Sequence, residues 1–257
     1  MKKRSMLKVL GSIALFAVGS LNANAKLMFT VDEDFGAGTS LVQANQIDGR
    51  YEEVITVDPA LNFSATIFAQ LDDLVLGTTS LVGTSMNAGD YSLYVTLKSI
   101  GAVLPNNPVA GFYTLAGFTG ELNLFLDKNN DTTGVAPALG TGDYAFSNDS
   151  DDILLGTGID SGGLGFIVDA GSLTSGFFDI LFREFALSAA GKEYFVAPDP
   201  FHMKVQSDGD IDTFDFDEVP GTQKLSGQLS VTFVPEPTSV ALFGLALVGF
   251  AGYSRRR

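Results

Sequence analysis

YSLYVTLKSI, residues 91–100, decides the fold class because its apolar residues recur at every second position. In an extended chain Leu93, Val95 and Leu97 fall on one face, and Tyr94, Thr96 and Lys98 fall on the other. This alternation is typical of an antiparallel strand that packs one face against a core. The segment therefore predicts a half-buried strand.

The same alternation recurs along the chain, between stretches rich in turn residues. It is present in YEEVITV (residues 51–57), FSATIFAQ (63–70), ELNLFLD (121–127) and LSGQLSVTFV (225–234). Residues 176–195 mix helical spacing with strand formers, and we predict a strand there. Stretches such as NAGD, LPNNP and DKNND separate the runs. We therefore predict an all-β fold, with an antiparallel β-sandwich or jelly-roll-like body.

The first 25 residues have the features of a secretory signal peptide. An apolar stretch over residues 9–21 follows four basic side chains, Lys2, Lys3, Arg4 and Lys8. Ala23-Asn24-Ala25 then supplies the small residues that signal peptidase requires. We predict a signal helix over residues 1–25, with signal peptidase cutting after Ala25. The division that follows is a signal over 1–25, a β-rich extracellular domain over 26–234 and a C-terminal tail over 235–257.

The charge of the predicted domain limits its partners. Residues 26–234 contain 29 acidic and 8 basic side chains, a net charge of −21. A polyanion of this kind repels nucleic acid, so we expect no nucleic-acid partner. The sequence contains no cysteine, which excludes disulfide bonds as a source of stability.

The motifs of several large enzyme classes are absent from the sequence. There is no cysteine nucleophile, G-x-S-x-G, P-loop or H-E-x-x-H, and His202 is the only histidine. A glycosidase requires only two carboxylates, but no pair stands out among the many acids. We therefore expect a protein that is not an enzyme.

Three acidic loops are candidates for calcium. DKNND places Asp127, Asn129 and Asp131 at alternate positions, although the glycine and glutamate of an EF-hand are missing. Asp208, Asp210 and Asp212 alternate in a second loop, and SNDSDD forms a third. Hard cations such as Ca²⁺ prefer oxygen ligands. The other reading is that these acids are solvated and keep the protein soluble.

The tail combines three features in a fixed order. Pro235-Glu236-Pro237 precedes an apolar run over residues 239–253, and Arg255, Arg256 and Arg257 follow. As a helix the run is about 22 Å long, shorter than a hydrocarbon core of about 30 Å. The arginines favour the cytoplasmic face, which leaves the body outside. We predict a hydrophobic helix that inserts transiently in the membrane.

An ordinary anchor explains the helix and the arginines of the tail, but not Pro-Glu-Pro. All three features match the PEP-CTERM sorting signal of Gram-negative bacteria, which the tail closely resembles. This resemblance implies processing by exosortase and export through the inner membrane. The expected location is the cell surface or extracellular matrix of an exopolysaccharide-producing host.

The body resembles the flocculation-associated PEP-CTERM proteins. The similarity lies in QIDGRYEEVITV (46–57), SDDILLGTG (150–158) and FALSAAGKEYFVAPDPFHM (185–203). It implies a protein that promotes flocculation or biofilm cohesion together with extracellular polysaccharide. A secreted carbohydrate-active enzyme and a sugar-binding module without an adhesive role remain alternatives. Exposed aromatic platforms would favour the sugar binder, and a facing acid pair would favour the enzyme.

Overall fold

The computed structural model describes residues 28–35, 37–85, 89–105, 112–169, 174–198, 203–207 and 214–233. Strands make up 68% of these residues, and the helix α1 spans only Ala189–Tyr194. The strands are β1 (Phe29–Asp32), β2 (Leu41–Ala44), β3 (Gln46–Val57), β4 (Asn62–Leu76), β5 (Thr79–Ser80), β6 (Ser92–Pro105), β7 (Phe112–Asp127), β8 (Thr133–Val135), β9 (Ala145–Ser147), β10 (Ile153–Asp169), β11 (Thr174–Leu187), β12 (Phe195–Ala197), β13 (Met203–Ser207) and β14 (Gly221–Phe233).

The main sheet is antiparallel and closes on itself. Its order is β3-β14-β13-β11-β10-β7-β6-β4, and β4 pairs again with β3. Each of these eight strands therefore pairs with the one of the eight that follows it in the sequence, and the last, β14, pairs with the first, β3. A bulge between Asp48 and Gly49 interrupts the closing β3–β4 ladder. A Cβ at Gly49 would lie 1.9 Å from the carbonyl oxygen of Gln70, so only glycine fits at this point of the closure.

The interior of the closed sheet is the hydrophobic core. The inward positions predicted for residues 91–100 and 121–127 are confirmed, because Leu93, Val95, Leu122, Leu124 and Leu126 are all fully buried. Opposite walls touch: the ring of Tyr51 on β3 lies 5.8 Å from that of Phe178 on β11. The body is therefore all-β, antiparallel and sandwich-like in its packing, as predicted. Its up-and-down connections differ from the crossed connections of a jelly roll.

A small second sheet covers one end of the closed sheet. Its order is β12-β1-β2, and aromatic rings join it to the core. The ring of Phe29 on β1 lies 4.6 Å from that of Phe233, the last residue of β14. Beneath it, Glu33 accepts hydrogen bonds from the hydroxyls of Ser85, at 2.5 Å, and Tyr91, at 2.9 Å.

Most of the strand predicted over residues 176–195 is confirmed, and its last part differs. β11 ends at Leu187, Ser188 caps α1 by accepting a hydrogen bond from the Gly191 backbone N–H at 2.9 Å, and β12 begins at Phe195. A serine cap followed by Ala189 and Ala190 favours one helical turn over continued strand. The predicted signal helix, the tail helix and His202 lie outside the described residues. Within the described residues, no helix has the length and apolar character needed to cross a membrane.

Candidate functional site

The connection between β7 and β10, residues 128–152, covers part of the outer face of the main sheet. We call it the outer segment; it contains the β8–β9 hairpin. Under it lies an aromatic cluster formed by Phe68, Tyr94 and Phe125 from neighbouring strands and by Tyr144 and Phe146 from the segment. Tyr94 is only 3% exposed although it points outward from the sheet. The outer segment therefore creates a second, smaller core outside the main one.

Hydrogen bonds join the two ends of the outer segment. Asn129 donates from its side chain to Asp151 at 2.7 Å, and the Thr132 hydroxyl donates to Asp152 at 2.9 Å. Tyr94 donates from its hydroxyl to the same Asp152 carboxylate at 2.6 Å. The loops DKNND (127–131) and SNDSDD (147–152) are thus brought together over β6. Their acids help to hold the segment on the sheet.

Burial changes the pKa values of groups in the outer segment and beneath it. It raises the pKa of Asp152, although the hydrogen bonds from Tyr94 and Thr132 oppose this effect. Burial, together with the hydrogen bond to Asp152, raises the pKa of Tyr94. Burial and the nearby negative charge of Glu52 also raise the pKa of Tyr144. Both tyrosines therefore stay neutral and act as hydrogen-bond donors at physiological pH.

The middle of the outer segment is fixed to β3 and β4. The Gly140 backbone N–H donates to the Thr56 hydroxyl at 2.9 Å, and the Tyr144 hydroxyl donates to the Glu52 carbonyl at 3.0 Å. Gly140 lies so close to the sheet that a Cβ there would be 2.0 Å from the Ser64 carbonyl oxygen. These contacts determine where Asp143 and Tyr144 stand above the sheet.

A groove with a volume of about 150 Å³ lies between the outer segment and strands β4, β6 and β7. The sheet supplies its floor, since Lys98 pairs in register with Thr66 and Glu121, and Thr96 pairs with Asn123. The outer segment supplies its wall. The lining residues are Thr66, Thr96, Lys98, Glu121, Asn123, Asp143, Tyr144 and Phe146.

The polar groups of the groove are partly paired with one another. Lys98 forms an ion pair with Asp143, and both side chains are well exposed. Asn123 donates from its amide to one oxygen of Glu121 at 3.3 Å. The second Glu121 oxygen and the Asn123 carbonyl oxygen have no hydrogen bond within the described residues. They are available to an incoming ligand.

The chemistry of the groove suits a hydroxyl-rich molecule. Carboxylate, amide and hydroxyl groups bind sugar hydroxyls. Tyr144 is only 7% exposed, so the polar groups are the main recognition surface. The volume is well below the ~300–1,000 Å³ of clefts that enclose a drug-sized ligand. Because the groove is open to solvent and its charged residues are exposed, it can hold one unit of a longer chain that continues over the surface.

The predicted metal ligands do not form a cluster in the described residues. The Asp127 carboxylate accepts the backbone N–H groups of Asn129, at 3.1 Å, and Thr132, at 2.8 Å, and Asp127 is 2% exposed. Its oxygens therefore serve the loop itself. Across the described ranges, no group of three or more acids is placed to hold a metal ion. Asp208, Asp210 and Asp212 lie outside those ranges, so calcium binding stays a prediction.

A second, small cavity of about 20 Å³ lies inside the closed sheet. Glu53 and Ser99 are the polar residues of its lining, and the rest is apolar, including Phe63, Phe178 and Phe214. Glu53 is 7% exposed, and its carboxyl group has no hydrogen bond in the part of the chain that the structure describes. Burial raises its pKa from 4.5 to about 8. A space of this size is large enough for about one water molecule.

Sequence reasoning missed both the groove and Glu53. Glu53 could have been found, because it shares the inward face with Tyr51, Ile55 and Val57 in the alternating run YEEVITV. The groove could not have been found in this way, since its shape depends on where the 25-residue outer segment packs on the sheet. The signal-cleavage residues Ala23 and Ala25 lie outside the described residues. So do the sorting residues Pro235, Glu236, Pro237, Arg255, Arg256 and Arg257.

Comparison with known proteins identifies the tail and leaves the body without a match. The PEP-CTERM protein-sorting motif matches residues 233–257. This match supports a PEP-CTERM sorting-domain protein. The motif implies export, processing by exosortase and a surface or extracellular location in Gram-negative bacteria. No curated protein and no solved structure matches the chain.

Proposed function

We propose that this protein promotes flocculation or biofilm cohesion by binding extracellular polysaccharide at the cell surface or in the matrix. The observation that carries the proposal is the groove, which offers sugar-compatible polar groups on the outside of the main sheet. The sorting motif supports the location in which such a protein meets polysaccharide.

The construction of the groove supports repeated binding to a long polymer. Its floor lies on three hydrogen-bonded strands, so its side chains keep their spacing. Because the groove is shallow, each protein contacts only a short part of the polymer. Weak single contacts add up when many proteins on one surface engage the same chain. Cohesion between cells follows from that multivalency.

The groove supports binding better than hydrolysis, although it contains two carboxylates. A glycosidase requires one carboxyl group that is protonated near neutral pH, which usually means burial in apolar surroundings. Glu121 and Asp143 are both exposed, and Asp143 is paired with Lys98. A carbohydrate-active enzyme remains the alternative, and release of reducing sugar from the bound polymer would reveal it.

Co-sedimentation of the purified protein with the host's polysaccharide tests the proposal. We expect the wild type to bind and Asn123→Trp to bind at least about tenfold more weakly, because an indole there fills the groove. The matched control is Ser226→Trp, an exposed strand position outside the groove. Tryptophan is favourable in strands, so both variants should fold. Equal binding by the wild type and Asn123→Trp would refute the groove as the binding site.

A further inference from the structure

The groove carries more acceptors and negative charge than donors, and we propose that it selects sugar units bearing a protonated amino group over acidic sugar units. This inference rests on the proposed function and specifies the ligand of the same site. Two carboxylates and one ammonium group line the groove, which leaves one net negative charge. The ligand it fits best is therefore a cationic, hydrogen-bond-donating one.

The pairing within the groove strengthens this preference. Lys98, the cation among the described lining residues, already has Asp143 as its ion-pair partner. The remaining groups are the second Glu121 oxygen and the Asn123 carbonyl oxygen, both acceptors, with the hydroxyl of Thr96; Thr66 is only 3% exposed. A protonated amine has three donors and no acceptor, which matches this set. A sugar carboxylate has only acceptors, and it would meet another carboxylate.

The negative charge around the groove also favours a cationic ligand. The outer segment contains five aspartates and one lysine. Glu52 lies beside the groove wall, since its backbone carbonyl oxygen accepts a hydrogen bond from the Tyr144 hydroxyl at 3.0 Å. An acidic polymer would have to approach through this negative field, whereas an amine-bearing polymer is drawn to it.

Isothermal titration with three oligosaccharides of equal length tests the inference. The probes are a glucosamine oligomer, its N-acetylated neutral form and an oligogalacturonate, at a pH where the amines are protonated. We expect affinity to fall in that order, with at least a tenfold gap between the first and the last. The reverse order would overturn the inference and leave the proposed function standing. Binding of none of them, nor of the host polysaccharide, would refute both.

Two variants separate the groove from general attraction to an acidic protein. Glu121→Gln and Glu193→Gln change the net charge equally, but Glu193 is an exposed residue of α1 outside the groove. We expect Glu121→Gln to weaken glucosamine-oligomer binding about tenfold, the size of one lost charge-assisted hydrogen bond, and Glu193→Gln to leave it unchanged. Equal losses in both variants would show non-specific attraction and overturn the inference.

Replacing the lysine gives a test of opposite sign. Lys98→Met removes the cation and frees Asp143, so the glucosamine oligomer should bind more tightly. If Lys98 instead recognises an acidic sugar, the same variant should lose oligogalacturonate binding and gain nothing with the glucosamine oligomer. That result would overturn the inference.

Discussion

Glu53 is an ionisable side chain in the interior of the closed sheet. Its position follows from simple alternation, since Tyr51 and Ile55 on either side of it are buried on the same face of β3. The cost of burial falls on the charged form and raises the pKa to about 8. At neutral pH the residue is therefore mainly a neutral carboxylic acid.

We predict that the stability of the domain falls as the pH rises from about 4.5 to about 8, the interval between the reference pKa and the folded pKa of Glu53. In this interval the unfolded chain has released the Glu53 proton and the folded chain still holds it. The free energy of unfolding therefore decreases by up to about 1.4 kcal/mol per pH unit from this group. Above pH 8 the contribution stays constant. Chemical denaturation at a series of pH values measures it.

The control for this prediction is the neighbouring residue on the other face of β3. Glu53→Gln should remove the downward slope, whatever the glutamine costs in absolute stability, because an amide does not titrate. Glu52→Gln, at an exposed position, should leave the slope in place. Unchanged slopes in both variants would show that Glu53 ionises normally in the folded protein.

At the scale of elements, the sequence was sufficient for the strands that alternate over many residues, and insufficient for the others, such as β10, and for the connections. β3, β4, β6, β7 and β14 were predicted because each alternates over many residues. Closure of the sheet was not, because strand partners depend on contacts between distant segments. The position of the outer segment depends on single features such as the lack of a side chain at Gly140. Such features have no periodic signature.

We predict that Gly140→Ala displaces the outer segment and leaves the main sheet folded. The new methyl group would overlap the Ser64 carbonyl oxygen, and the hydrogen bond from Gly140 to Thr56 would be lost. A loss of about 1–3 kcal/mol in the free energy of unfolding is the expected size for overpacking. Hydrogen exchange should show faster exchange in residues 128–152, while the strands stay protected.

Leu139→Ala is the matched control for this prediction. Leu139 is 52% exposed, so truncating it should change stability by less than about 0.5 kcal/mol. If both variants behave alike, the close approach of Gly140 to the sheet is not what fixes the segment.

At the scale of the molecule, the sorting motif and the groove lie in different parts of the chain. The tail carries the sorting motif, and the closed sheet carries the groove. The tail was predicted from sequence because its recognition depends on the order of residues rather than on folding. The groove required the structure, since its lining residues span positions 66–146.

We predict that replacing Pro235, Glu236 and Pro237 together by alanine traps the precursor in the inner membrane. The substitution removes the rigid peptide that precedes the apolar run and keeps the run itself. Fractionation and immunoblotting measure the location. As a control, alanine at Thr238 should leave sorting intact. Normal delivery of the triple variant to the surface would mean that the tail acts as a plain anchor.

Calcium dependence is also tested on the whole protein. If the acidic loops bind the ion, the melting temperature should rise on addition of Ca²⁺, as the mass action of a bound ligand requires, and chelation should disperse wild-type flocs. If the acids are only solvated, neither change should occur. Asp127→Asn is no clean probe here, because the Asp127 carboxylate accepts two backbone hydrogen bonds of its own loop.

The sedimentation rate of cell flocs, in a deletion strain complemented with groove variants, tests the central proposal most directly. We predict that deletion disperses the flocs and that the wild type and Ser226→Trp restore them. Asn123→Trp should fail to do so at an equal amount of surface protein. Normal flocculation of the deletion strain would contradict a role in cohesion, and full rescue by Asn123→Trp would contradict the role of the groove.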